Sequence, residues 1–497
     1  MQSANTDHHK AIVIGSGVAG MATAIRLAVL GYTVTVYEKN NYPGGKLSAF
    51  TNQGYHFDAG PSLFTQPKNI EELFELAGEP IEEYFSYMQI PLACKYFYDN
   101  GKIINAHTDI GLLAGELNNV LGEKEEAVKN YLAESANVYK NVGTVFLNHS
   151  LHKRKTWFNK RIVKAITAVK YGHLFKTLHR HNLSKFTTPE AVQMFNRYAT
   201  YNGSDPYQAP GMLSLIPHLE YNEGTYYPKG GMISITNALF RLAQKKGVQF
   251  VFDTPVKHII HHEGKVKGVV VNNENIYSDT VISNMDIYFT YKHLLSDQHK
   301  ARNVLKQERS SSALVFYWGI KRSFPELELH NIFFAKDYKA EFECLFKRKL
   351  MHTDPTIYIN ITSKIESSMA PLGCENWFVM VNAPANTGQD WETIKQTARK
   401  TIIDKLNQHL QTDLSDLIET EEILDPISIE EKTHSYMGSL YGTSSNSKWA
   451  AFLRHPNFSS TIEGLYFCGG SVHPGGGIPL CFKSAEIVSE MIESTIK

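Results

Sequence analysis

Residues 11–45 read "AIVIGSGVAGMATAIRLAVLGYTVTVYEKNNYPGG", with one charge, Arg26, ahead of Glu38 and three glycines spaced G-x-G-x-x-G. Ala11 to Gly15 form a short β-branched run that ends in glycine, as a buried parallel strand does. From Val18 to Leu30 the pattern changes to helix, since Met21, Ala24, Ile25 and Ala28 fall on one face, and Gly31 supplies a stop. Thr33 to Tyr37 is a second strand, which completes a βαβ unit. In such a unit Gly15 allows the tight turn, Gly17 lets backbone approach a pyrophosphate, and Gly20 lets helix and strand pack closely. The helix-start amides of Val18 and Ala19 can bind phosphate, and Glu38 stands where a carboxylate accepts hydrogen bonds from ribose hydroxyls. The stretch therefore reads as a dinucleotide site, against the blander alternative of a purely structural glycine turn. It is too interrupted for a membrane span, which needs about 20 unbroken apolar residues.

The whole chain has 497 residues, more than one hydrophobic core usually serves, so two or three interleaved domains are expected. Lys+Arg and Asp+Glu are equal at 50 each, a balance that gives no support to nucleic-acid binding. Cys94, Cys344, Cys374, Cys468 and Cys481 are odd in number and lack C-x-x-C spacing, which argues against a disulfide framework and a zinc site. The local cluster His258, His261 and His262 is split between strand faces, and no metal is expected. The opening MQSANTDHHK lacks the basic and apolar regions of a secretory signal, so a cytoplasmic location is expected.

Residues 66–225 are mixed and mostly helical in pattern. From Tyr227 the chain reads as a Gly-Gly turn, an amphipathic helix ending at Gly247, a strand (VQFVF), and a hairpin turning at Glu263 and Gly264. Strands and helices alternate over 287–425, and the C-terminus closes with a strand, a glycine loop and an amphipathic helix. This order predicts a discontinuous dinucleotide-binding domain of residues 1–66, 226–286 and 455–497. A substrate domain is expected from 67–130, 190–225 and 287–454, with a basic helical insert at 131–189. No acidic residue occurs from Ser135 to Pro189, while Lys153, Arg154, Lys155, Lys160, Arg161 and Lys164 are interleaved with Trp157, Phe158, Ile162 and Ile166. Such a segment suits the surface of an anionic bilayer, although charge runs are more often solvated helix faces.

Three glycine segments decide the cofactor. After Glu38 comes "KNNYPGGKLSAFTNQGYHFDAGPSLF", with Lys39, Gly44, Gly45, Lys46, Gly60, Pro61 and Ser62. It resembles the flavin amine oxidase and phytoene desaturase superfamily, in which E-x-x-x-x-x-G-G-[RK] and D-x-G-[PA] hold FAD. "GLYFCGGSVHPGGGIPLCFKSAEIVSEMI" is similar to the C-terminal flavin motif of bacterial carotenoid desaturases, which places Gly470, Gly477, Ile478 and Pro479 at the ring end. "YYPKGGMISITNAL" resembles the family's F-P-R-G-G-x-x-x-L, and Val256 in "TPVKHI" occupies the position whose backbone lies beside adenine. Departures are Lys46 and Lys229 for arginine and Val472 for threonine.

The resemblance implies an α/β fold: a Rossmann-like FAD-binding domain of the glutathione-reductase and amine-oxidase type, an interleaved α+β substrate domain, and a helical membrane-associated insert. It implies an FAD-dependent oxidoreductase that desaturates an acyclic or monocyclic carotenoid by hydride transfer to flavin N5, with closest similarity to 3,4-desaturation of a 1-hydroxycarotenoid. The electron acceptor would be a quinone or O2, and the location the inner face of the cell membrane, held peripherally. Alternatives are a carotenoid isomerase or phytoene desaturase on the same fold, another amine-oxidase-type oxidase, or a flavin- and lipid-binding protein without catalysis. No catalytic base is evident; His473, inside the glycine loop, and Arg197, in "FNRYATYNGSDPYQAP", are the candidates. Asp58 reads as support for the Gly60-Pro61 turn rather than as a base.

Overall fold

The computed structural model describes residues 9–150, 152, 176–447 and 454–496. The opening stretch forms β1 (Lys10–Ile14), α1 (Val18–Val29) and β2 (Thr33–Tyr37). Ala11 to Ile14 are all buried because β1 is the middle strand of a parallel five-stranded sheet, ordered β19-β13-β1-β2-β9. The other strands are β9 (Gln249–Val251), β13 (Thr280–Ser283) and β19 (Leu465–Phe467), so distant segments converge on one sheet. On one face lie α1, α2 (Ile233–Lys245) and α4 (Ile478–Ile496), whose Met21, Ile25, Leu239, Leu242, Ala485 and Val488 share one apolar cluster. The opposite face packs on an antiparallel sheet of β10 (Val256–His262), β11 (Lys265–Val271) and β12 (Glu274–Tyr277), through Ile259, Val266 and Val269. The β10–β11 hairpin turns at Glu263 and Gly264, with φ of 50° and 74°, the left-handed geometry that tight two-residue hairpin turns prefer.

A second, seven-stranded sheet has the order β18-β14-β17-β16-β15-β6-β7. It comprises β6 (Leu92–Phe97), β7 (Ile103–His107), β14 (Ser312–Ile320), β15 (His330–Phe333), β16 (Ile357–Ile361), β17 (Glu375–Ala383) and β18 (Ile418–Leu424). Every residue of β14 is buried, yet its faces differ by strict alternation. Leu314, Phe316, Trp318 and Ile320 pack with Trp377, Val379 and Val381 against α3 (Trp391–Leu410), whereas Ala313, Val315 and Tyr317 face a cavity. The described part of 66–225 is mixed and mostly helical, as expected, and the β6–β7 hairpin is its main strand pair. This hairpin turns over Asp99, Asn100 and Gly101, the last at φ 80°. The hairpin forms the edge of the sheet, and β6 pairs inward with β15, more than two hundred residues later, so no local pattern advertises the sheet. Two small antiparallel pairs complete the strands: β3 (Ala49–Asn52) with β4 (Tyr55–Asp58), and β5 (Tyr87–Gln89) with β8 (Tyr226–Pro228).

Among the described residues no helix is long and apolar enough to cross a membrane. Most of the basic, aromatic insert, residues 153–175, lies outside the described residues. At its described margin Lys185 is ion-paired with Glu134.

Candidate functional site

Four strands of the parallel sheet point their C-terminal ends at one place, the crevice where ligands bind in open α/β sheets. β1 ends at the glycine turn, β2 at Glu38, β13 at Asn284 and β19 at Gly469. From there a cavity of about 820 Å3 runs over the inner face of the seven-stranded sheet.

At its sheet end the lining includes Gly15, Gly17, Val18, Ala19, Glu38, Lys39, Gly44, Gly45, Lys46 and Val256. Gly60, Pro61 and Ser62 line it further along, and Gly470, Gly477, Ile478 and Pro479 close it from the C-terminal loop. Of the sequence-predicted cofactor residues, Gly20 alone is not in the lining. It sits behind the turn, where a Cβ would lie 2.2 Å from the Gly15 carbonyl oxygen, so its part is close packing of α1 on β1. Glu38 is buried; its Oε2 accepts the Ser16 N–H and hydroxyl, each at 2.8 Å, and Oε1 accepts the Asn40 N–H at 3.0 Å. One carboxylate thus rigidifies the turn and stays at the cavity wall. The N-termini of α1 and α4 both open on the cavity, and amides in a first helical turn have no partner within the helix.

Lys46 donates to the backbone carbonyls of Leu440 and Ser439 at 2.6 and 3.3 Å. Burial pushes its ammonium down to about 8, partly offset by Asp286. Asp286 lines the cavity beside Asn284 and is ion-paired with buried Arg309, whose Nε and Nη1 have no hydrogen-bond partner among the described residues. Asp58 accepts the Met232 and Ile233 amides, at 2.8 and 3.0 Å, which ties β4 to the start of α2 beyond the Gly-Gly turn. Burial raises its carboxyl to about 6 against the pull of those two amides.

The two candidate reactive residues part company. His473 is buried but does not line the cavity. Its Nε2 donates to the His149 carbonyl oxygen at 3.0 Å, and burial holds the ring down at about 4, so it anchors the loop from behind. Proximity in sequence misled here: the loop's backbone faces the cavity and this side chain turns away. Arg197 does line the cavity, paired with Glu220 at 3.1 Å. Its Nε donates to Tyr96 at 2.7 Å and Nη1 to Tyr201 at 3.1 Å, while Tyr198 and Tyr201 donate to the Glu220 carboxylate. Both charges are therefore compensated. Asn284, Asp286 and Glu220 were not singled out from sequence, since each is a single polar residue that only the tertiary fold brings to the cavity.

The floor between these ends is apolar: Ala313 and Val315 of β14, Phe378 and Met380 of β17, and Ile332 of β15. Two glycine-turn helix starts, a carboxylate at the end of β2 and a long apolar floor suit a dinucleotide lying against a hydrophobic substrate.

The family model described as "Flavin containing amine oxidoreductase" matches residues 18–492. The chain belongs to the flavin-containing amine oxidoreductases. Within reach of this family it is 51% identical over 486 residues to the 1-hydroxycarotenoid 3,4-desaturase of Flavobacterium sp. (strain P99-3), covering 98% of this chain and 99% of that one. It is 32% identical to the phytoene desaturase of Phycomyces blakesleeanus, over 97% of this chain and 84% of the relative. Among solved structures, an oxidoreductase from Methanosarcina mazei superposes with a TM-score of 0.65 at 14% identity, covering 97% of this chain and all of that one, a likeness of fold. As a flavin-containing oxidoreductase of this family the protein uses FAD.

Proposed function

We propose that this protein is an FAD-dependent carotenoid desaturase that introduces the 3,4 double bond into a 1-hydroxycarotenoid. The observation that carries the reading is the full-length likeness to the enzyme of that name. The residues present fit the cofactor on the structure's own terms. At Gly477, with φ 119°, an added Cβ would meet no atom within 4 Å, so the backbone is bare toward the cavity it lines.

In this reading the amides of Val18 and Ala19, with Gly15 and Gly17, receive the pyrophosphate. Glu38 accepts ribose hydroxyls, and the backbone at Val256, with Lys39, borders the adenosine end. Gly44, Gly45, Lys46, Gly60, Pro61 and Ser62 would border the cofactor along the cavity they line, and Gly470, Gly477, Ile478 and Pro479 would border its ring, where the α4 N-terminus would stabilise negative charge. Bound FAD would supply the two-electron oxidant, accepting a hydride from an allylic carbon, and loss of a proton from the adjacent carbon would complete the double bond. The chain's own work is to align an apolar substrate along the seven-stranded sheet, exclude water and hold charge at fixed places. The Arg197–Glu220 pair, neutral as a unit, borders the substrate without adding net charge beside a polyene.

The same reading divides the chain into an FAD-binding unit of 1–66, 226–286 and 455–497 and a substrate unit of 67–130, 190–225 and 287–454. This division is supported by the origin of the strands in the two large sheets. Residues 131–189 would rest on the inner face of the cell membrane, where a lipid-soluble substrate is delivered and a quinone or O2 can take the electrons. What supports that contact is the basic and aromatic sequence, free of acidic residues from Ser135 to Pro189.

The test is pigment analysis of cells that accumulate a 1-hydroxycarotenoid, with and without this gene. A product lighter by two hydrogens and absorbing at longer wavelength is expected. A product of unchanged mass would overturn desaturation in favour of isomerisation, and no new product would overturn a carotenoid reaction altogether.

A further inference from the structure

The inner face of the seven-stranded sheet is apolar across most of its strands; His330 interrupts it, as do Tyr317, Tyr358, Asn382 and Glu422. His330, the first residue of β15, is 3% exposed and lines the cavity. Directly across the β15–β16 ladder is Asn360. The Asn360 amide nitrogen donates to the Leu329 carbonyl oxygen at 3.1 Å, which identifies it as the donor end of the side chain. The same nitrogen stands 3.1 Å from His330 Nδ1, so Nδ1 is the acceptor. Tyr358 Oη is 2.8 Å from that Nδ1 and 2.8 Å from Ser62 Oγ, so the ring is held in one orientation by a chain that reaches the Gly60-Pro61-Ser62 turn. With Nδ1 accepting, the neutral ring carries its hydrogen on Nε2. Burial, reinforced by the Arg197 charge, pushes the imidazole down to about 3, so it is neutral at any physiological pH.

Nε2 makes no hydrogen bond among the described residues, nor is it one of the sealed, unpartnered core atoms. A fixed N–H donor thus borders a largely apolar cavity, and no described residue accepts it. A donor deprived of water is costly unless something replaces that water, and a polyene hydrocarbon offers no acceptor. The oxygen of a hydroxyl does. The neighbouring Arg197–Glu220 cluster cannot play this part, because its ions and tyrosines already satisfy one another. Tyr338, which follows β15 and also lines the cavity, has a phenol oxygen without a partner among the described residues, so a second polar atom is available on that side.

We infer that His330 Nε2–H donates a hydrogen bond to the hydroxyl oxygen of the carotenoid substrate and is the residue by which the site prefers a hydroxylated end to a hydrocarbon one. The inference rests on the carotenoid reading above and adds what selects the substrate within that class. Asn360, Tyr358 and Ser62 act through His330, as positioning residues.

The experiment measures kcat/KM of the FAD-loaded enzyme for a 1-hydroxycarotenoid and for the same carotenoid lacking the hydroxyl, in wild type, H330F and H330Q. Wild type is expected to favour the hydroxylated substrate. In H330F its kcat/KM falls roughly tenfold, the size of one buried hydrogen bond. The deoxy substrate stays within about twofold, because it never used the donor. H330Q, which keeps an N–H near the same place, recovers part of the preference. H330M, flexible and without a donor, repeats the test should H330F not fold. An equal fall for both substrates would assign His330 a structural role and overturn the inference, as would an unchanged preference. A wild-type enzyme that desaturates neither compound would instead defeat the carotenoid reading itself.

Discussion

Replacing Gly20 with alanine adds one methyl group at the tightest point of the opening turn. Its Cβ would lie 2.2 Å from the Gly15 carbonyl oxygen, 3.0 Å from Asn284 Nδ2 and 3.3 Å from Asn284 Cβ. Relief requires α1 to retreat by roughly 1 Å. The helix has nowhere to go, because Met21, Ala22, Ala24, Ile25 and Leu27 are fully buried against the sheet and α4. Overpacking of this kind costs about 1–3 kcal/mol. The retreat also lengthens the amide-to-phosphate hydrogen bonds expected at Val18 and Ala19, each worth about 1.5–3 kcal/mol when the acceptor is charged. The overpacking cost falls on folding stability; weakening of the two phosphate bonds by about 3–4 kcal/mol together corresponds to a 10²–10³-fold rise in Kd. Apoprotein would be titrated with FAD, following quenching of flavin fluorescence, alongside thermal unfolding by circular dichroism. G31A serves as control: Gly31 has φ 92° with no atom within 4 Å of an added Cβ, so it loses about 1–2 kcal/mol of stability to left-handed strain and keeps its FAD affinity. A G20A protein with wild-type melting and an FAD Kd within about twofold of wild type would refute the reasoning.

Three further outcomes are expected. E38A leaves the Ser16 amide and hydroxyl without their acceptor and removes the ribose contact, so FAD Kd rises roughly 10–100-fold in the same titration. R197M strands the Glu220 carboxylate in a buried site and costs about 3–5 kcal/mol in urea unfolding, whereas R197M/E220M regains most of it because no unpaired charge remains. Asp58 adds a pH signature: its folded value of about 6 exceeds the ordinary 3.8, so between those pH values the folded chain keeps a proton that the unfolded chain has lost. This contribution to stability is therefore full below about pH 4 and fades as pH rises to 6, and D58N should flatten that part of the melting-temperature profile.

What was readable in sequence was what backbone geometry demands locally. Gly20 and Gly60 are fixed by approach distances no side chain tolerates; a Cβ at Gly60 would lie 1.8 Å from the Lys46 carbonyl oxygen. The Glu263-Gly264 turn was equally plain, because two left-handed residues in succession leave few choices. Asn284 was not readable, although it packs against the positions where Gly17, Gly20 and Gly469 would each carry a Cβ. It is one amide at the end of a strand, and only the β1–β13 pairing brings it under a turn 269 positions away. His473 shows the converse: Ser471, Gly476 and Gly477 of the same glycine loop line the cavity, yet its own side chain crosses to the His149 carbonyl.

The substrate floor was hidden for a deeper reason. In "SALVFYWGI" (Ser312–Ile320) both faces are apolar, because one packs on α3 and the other must match a hydrocarbon. A strand buried in protein and a strand waiting for an apolar ligand obey the same composition rule. Only volume separates them, and that signal is weak: Leu314, Phe316 and Trp318 fill the core side, while Ala313 and Val315 leave room on the other. An apolar pocket becomes legible where a polar atom breaks it without a partner. On this sheet His330 is such a break, and the same strand pairing that hides it from a reader of sequence, β15 against β16, holds its ring in place.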